Sequence, residues 1–296
     1  MRDVLIDNWS LENIAFDLND RTKLLNNPAF HNILEAMVLW DNVYYPKNDY
    51  SFFWKYLSYE SGLDRYLKGC EENDLYLDEA KCLYKEFCDE KKYTENIACG
   101  AIRYSMVANK FGYDYLPCPI RGNFIQQTGI YKKIYNINQI PINGGNSTPL
   151  SRKELWDPIN KDIKDYYQDL NERCKSIHFE VNLPVLANYI IQSKPKNMNY
   201  LEYASQLKKK PSVKLYINYL NDIEKKIAEG NTVALSQFNR DMKDIVDEVC
   251  NEDKKLIIQI LTSIIPSPVF QFNIFDLRKI NFTFVRQVVR YEVKNK

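Results

Sequence analysis

Asp41, Arg103 and Arg121 are the residues of the N-terminal half whose types suit a polar recognition pocket. Asp41 falls on an otherwise apolar helical stripe of Phe30, Ile33, Leu34, Met37 and Tyr44, so a buried carboxylate is expected there. Such a group needs a cation, and Arg103 or Arg121 can supply one; a purely structural ion pair would use the same residues. Arg121-Gly122-Asn123, after Pro117 and Pro119, also offers donors for an anion in a short turn. Near the C-terminus, Arg286 and Arg290 share a helix face and, with Arg278, Lys279, Lys294 and Lys296, form a basic cluster suited to phosphate contacts. Lys208-Lys209-Lys210 is a second cluster, and solvated charge is the ordinary role of both.

Two spacings bear on catalysis. Arg173 and His178 give R-x4-H. This resembles the spacing used by HEPN, a metal-independent ribonuclease class built on helical bundles. The resemblance covers six residues and implies His178 as general acid or base, with Arg173 stabilising charge on the phosphate. Glu79-Ala80-Lys81 is similar to the E-x-K element of metal nucleases, but here it opens a helix where that chemistry uses strands.

Bulk properties exclude several classes. Forty basic residues face 39 acidic ones, a net charge of +1, so no global field draws the chain to nucleic acid or an anionic membrane. With 9 glycines and no G-x-G-x-x-G or G-x-x-x-x-G-K-[ST] string, the two common nucleotide-binding loops are missing. Seven cysteines, an odd number without a C-x-x-C pair, and only two histidines, His31 and His178, give neither a disulfide framework nor a local metal signature. No metal or cofactor is expected. The N-terminus lacks the apolar core of an export signal, and the apolar run 256–265 is half the length of a membrane span. A cytoplasmic protein without a membrane partner is therefore expected.

The elements that must position these residues read mainly as helices. Ser10 is a candidate N-cap for a helix over Leu11–Leu18, and Asn27-Pro28 opens a helix that Pro46 stops. An aromatic helical segment is expected over 50–70, and another from Asp78 to about Asp89. Thr94 caps a helix over Glu95–Phe111 with a small-residue face of Ala98, Ala101, Ser105 and Ala108 and with Ile97, Ile102 and Phe111 in the core, closed by Gly112. Residues 113–150 read as an irregular or small β insertion, rich in Pro and Gly. Ser151 and Glu154 form a capping box before a helix, 177–181 reads as a strand, and helices follow at 184–191 and 200–209. The stripes Val213, Ile217, Leu220, Ile223, Ile227 and Leu235, Phe238, Met242, Ile245, Val249, parted by Gly230, predict an antiparallel helical hairpin over 212–250. A helix near Phe284–Val293 ends the chain.

The expected fold is thus mainly α and multihelical. Residues 1–146 form a helical domain ending in an irregular segment, and 147–296 a helical domain containing the hairpin; one continuous domain is the alternative. The expected function is a non-catalytic binding or scaffold subunit of an intracellular assembly with a protein partner. The abundance of Lys, Asn, Ile and Tyr suits an AT-rich microbial genome. The alternatives are the ribonuclease using Arg173 and His178, and a nucleic-acid-binding accessory protein using the C-terminal arginines.

Overall fold

The computed structural model describes residues 3–17, 20–47, 65–71, 75–87, 93–130, 134, 159–166, 168, 185–229, 231–262 and 282–294. It is mainly helical, with a small parallel sheet of four strands. In chain order the strands are β1 (Asp3–Ile6), β2 (Asn42–Pro46), β3 (Lys68–Cys70) and β4 (Asp114–Leu116). The helices of the first half are α1 (Asn8–Asp17), α2 (Arg21–Asn26), α3 (Pro28–Leu39), α4 (Leu77–Phe87), α5 (Glu95–Phe111) and α6 (Pro119–Thr128). Those of the second are α7 (Val185–Ser193), α8 (Tyr200–Lys208), α9 (Pro211–Ala228), α10 (Thr232–Thr262) and α11 (Thr283–Lys294). The chain forms two compact units: 1–152 with 194–208, and 153–193 with 209–296. The expected boundary at 146/147 lies outside the described residues, as do the helical segment over 50–64, the capping box at Ser151 and the strand over 177–181.

The first unit is built on the sheet, whose order is β3-β2-β1-β4 with every pairing parallel. Parallel neighbours cannot be joined by a tight turn; α1, α2 and α3 lie in the crossover from β1 to β2, and α4 and α5 between β3 and β4. Val4, Leu5 and Ile6 of β1 are all buried, as a central strand requires. Without alternation, three apolar residues gave no strand signal in the sequence.

α3 begins where Asn27-Pro28 predicts. Asn27 Oδ1 accepts from the backbone N–H groups of Ala29 (2.8 Å) and Phe30 (3.3 Å), while its amide donates to Asn13 O (3.0 Å) and Asp17 Oδ2 (2.7 Å). Asn27→Ala removes both the cap and a tie to α1, so a loss of about 1–2 kcal/mol is expected in urea unfolding. A loss no larger than that of an exposed surface substitution would show that the cap contributes little.

The expected end of this helix needs correction. α3 stops at Leu39 because Trp40 turns extended, and Asn42–Pro46 leaves as a strand of the sheet. Tyr44 therefore lies on β2, and Asp41 sits half-buried in the bend between helix and strand, off the helical stripe. Lys208 at the end of α8 donates to the carbonyl of Trp40 (2.5 Å) and also to that of Asp41. One member of the lysine cluster is thus spent on carbonyls at the exit of a helix, where a cation also meets the negative end of the dipole.

Three further expectations change. Ser10 lies inside α1, and the cap comes from Asp7, whose Oδ1 accepts the Ser10 N–H at 2.8 Å. Thr94 makes no side-chain cap hydrogen bond to α5, and Phe111 is 38% exposed, stacked on Tyr113, instead of buried. After Gly112 the described residues form β4 and α6, because Pro119 starts a helix and Gly129, at φ 62°, ends it in the left-handed conformation. The small-residue face of α5 is buried as expected, with Ala98, Ala101 and Ala108 fully enclosed.

The second unit contains α7, α9, α10, α11 and a helical stretch at 159–166. Its core is aromatic: Tyr219 stacks on Phe238 and meets Phe282 edge-on, and Phe284 packs against Tyr189 and Tyr216. Tyrosine suits this role where its ring is buried and its hydroxyl finds a partner, as Tyr219 does on Asp241 Oδ2 at 3.3 Å.

Candidate functional site

In an open parallel sheet the strand order reverses where two neighbouring strands send their connections to opposite sides, and a crevice opens beyond their carboxyl ends. Here that point lies between β1 and β4. The sequence leaves β1 as Asp7-Asn8 and β4 as Pro117-Cys118, followed by α6 with Arg121 in its first turn.

Asp7 is fully buried and organises this end of the sheet. Besides capping α1, it accepts at Oδ2 from the Tyr115 hydroxyl (3.0 Å) and the Cys118 N–H (3.1 Å), and it pairs with Arg121 Nη1 at 3.3 Å. Arg121 is 3% exposed; its Nη1 also donates to Asn8 Oδ1 at 2.6 Å. The guanidinium lies 4.8 Å from the Trp9 ring and 5.5 Å from that of Tyr104, within reach of cation–π attraction to both.

The backbone contribution is Gly100. A Cβ there would stand 2.3 Å from Arg121 Nη2 and 2.5 Å from its Cζ. Only glycine on α5 lets the guanidinium lie against the helix.

Burial and the Asp7 charge push the Tyr115 hydroxyl up, and they push the Cys118 thiol up to about 12. Burial pulls Arg121 down, but Asp7 and its neighbours outweigh that and hold the cation more firmly than usual. At pH 8 a thiol with that value is ionised to only about one part in ten thousand, and the thiolate is the nucleophile. A brief iodoacetamide pulse on the native protein should therefore modify exposed Cys82 and leave buried Cys118 untouched until denaturant is added. Peptide mass spectrometry reads this directly, and comparable labelling of the two would show that the end of β4 is open.

Beside the pair lies a cavity of about 210 Å³, lined among others by Asn8, Lys81, Glu95, Gly100, Arg103 and Arg121. Arg103 is buried, its Nε donating to Leu75 O at 3.1 Å. The sheet thus brings Arg103 and Arg121 to one cavity, but not Asp41, whose place is taken by Asp7. Lys81, from the E-x-K string, stands exposed at the rim, on a helix as the sequence indicated.

The chain matches no family model, no curated protein and no solved structure.

The remaining candidates lie elsewhere. Arg286 is paired with Glu248 at 2.9 Å and Arg290 is half-buried on α11, so the C-terminal arginines are partly engaged by their own unit. Arg173 and His178 lie outside the described residues. Among the described residues no group of three or more His, Cys, Asp or Glu is placed to hold a metal ion, and no helix is long and apolar enough to cross a membrane. Asp7, Asn8, Gly100, Tyr115 and Cys118 were missed from sequence. The available signal was Val4-Leu5-Ile6 running straight into an aspartate: a short buried strand with a carboxylate at its end.

Proposed function

We propose that this chain is a binding protein whose α/β unit holds a small polar ligand at the carboxyl ends of β1 and β4. Its helical unit, with α9 and α10 as an antiparallel hairpin, joins it to a larger cytoplasmic assembly. The observation that carries the reading is the reversal of strand order at β1 and β4, together with a cavity containing two buried arginines beside it. Ligands of open parallel sheets collect at such points because the loops there diverge and leave polar backbone ends accessible.

The ligand half of the proposal is tested by native mass spectrometry of the protein recovered from its source cells. A small bound mass is expected, lost in Arg103→Gln; bare protein in every preparation would count against it. A stoichiometric protein partner would support the assembly half. RNA cleavage that disappears in His178→Ala would overturn the reading in favour of ribonuclease chemistry. Nucleic-acid affinity falling steeply with salt would favour the accessory role instead.

A further inference from the structure

We propose that the cavity between α9 and α10 of the helical unit receives an arginine side chain of a protein partner, with Asp241 as the acceptor of its guanidinium. The inference rests on the reading of the helical unit as the part that joins an assembly, and it adds the chemistry of the contact.

Helix spacing builds the cavity. On α9, Tyr219, Ile223 and Lys226 follow one another by four and three residues; on α10, Val233, Gln237 and Asp241 do so by four and four, so each set shares one helix face. With Phe282 they line a cavity of about 300 Å³, at the lower end of ligand-pocket sizes and wide enough for a long side chain. Lys226 lies two turns beyond Tyr219, roughly 10 Å along the helix. Asp241 is hydrogen-bonded to Tyr219, so the cavity has its cation towards one end and its carboxylate towards the other. Ile223 and Phe282, both buried, supply apolar wall.

Asp241 is the recognition group. Its Oδ1 accepts from Gln237 Nε2 at 2.6 Å and its Oδ2 from the Tyr219 hydroxyl at 3.3 Å, both neutral donors, and among the described residues no cation pairs with it. Lys226, the other charge on the wall, stands 2.6 Å from Asp222 Oδ2 and is already compensated. Arg240 and Lys243 are exposed, and the charge of Lys243 acts on Asp162. Residues 222–244 hold five carboxylates and four cations, so the surroundings leave the Asp241 charge unanswered.

The free acceptor positions select the cation. A carboxylate offers about four, so one remains on each oxygen of Asp241, and a guanidinium presents two parallel N–H donors that meet both. An ammonium would act there only as a point charge. The methylene stem of an arginine covers apolar surface while its head reaches the carboxylate, which is the character of this wall. Half-buried and held by two donors, Asp241 needs little ordering when the partner arrives. Val233, 72% exposed in the first turn of α10, is left at the mouth for the partner's own surface to cover.

The test is methyl NMR of the full chain titrated with N-acetylarginine amide, with the neutral N-acetylcitrulline amide as control. Saturable shifts of the Ile223 and Val233 methyls are expected with the arginine compound. Binding should weaken about tenfold in Asp241→Asn, the loss of one charge-assisted pair, and be about as weak with citrulline. If Asp241→Asn folds poorly, salt replaces it: raising ionic strength to about 0.5 M should weaken the arginine compound and leave citrulline unchanged. No saturable shift in the wild type, citrulline binding as tightly as arginine, or affinity indifferent to Asp241→Asn or to salt would each overturn the assignment. Native mass spectrometry of the protein from its source cells separates the two levels. Loss of a stoichiometric partner in Asp241→Asn supports the site. A partner retained by that variant would leave the assembly reading standing and overturn this one, and no partner in any preparation would remove both.

Discussion

Asp7→Ala is expected to lower the stability of the α/β unit by about 3–5 kcal/mol, the usual cost of stranding one partner of a buried ion pair. Arg121 would keep its charge at 3% exposure with Asn8 as its remaining hydrogen-bond partner, and the Ser10 N–H, Cys118 N–H and Tyr115 hydroxyl would each lose the acceptor that Asp7 provides. Folded domains have only about 5–15 kcal/mol in total, so this single change removes a large share. Urea unfolding of wild type, Asp7→Ala, Arg121→Met and the double variant reads the coupling. The double variant should be less damaged than the sum of the singles, because the stranded charge is gone, but should not recover fully, because three donors stay unanswered. A loss below about 1 kcal/mol in Asp7→Ala would mean that hydrophobic contacts alone hold the ends of β1 and β4 together.

Gly100→Ala should destabilise by about 2 kcal/mol, the reverse of what helix propensity predicts. In an exposed helix interior the same change gains roughly 0.5–1 kcal/mol through reduced backbone entropy in the unfolded chain. Here the new methyl would overlap the guanidinium of Arg121, with contacts of 2.3–2.8 Å to three of its atoms. An arginine end normally swings aside at little cost. This one is held by Asp7 and Asn8 and flanked by Trp9 and Tyr104, so moving it gives up the ion pair, the 2.6 Å hydrogen bond and the ring contacts together. A variant as stable as wild type would show that the guanidinium has a second resting place.

The two effects share a cause. Both act on Arg121, which Asp7 and Asn8 engage beyond the end of β1, so the folding of α1, β4 and α6 depends on one buried pair.

Local signals in the sequence determined most of the helices. α3 starts at Asn27-Pro28, α5 runs from Glu95 to Gly112 with its small-residue face buried, and α11 covers the expected C-terminal segment. Each depends on residues three or four apart and on caps within one turn, so periodicity and turn chemistry suffice. The sheet left almost no such trace. Its strands are three to five residues long, too short for a period to show, and every partner is distant in the chain. The same holds for the site: Arg103 and Arg121 were visible as buried-cation candidates, yet the carboxylate that engages Arg121 is Asp7, 111 positions before Cys118, and not Asp41. Only tertiary structure chooses between two aspartates, because the choice is made by which strand ends lie side by side, and parallel pairing joins ends that the sequence keeps far apart.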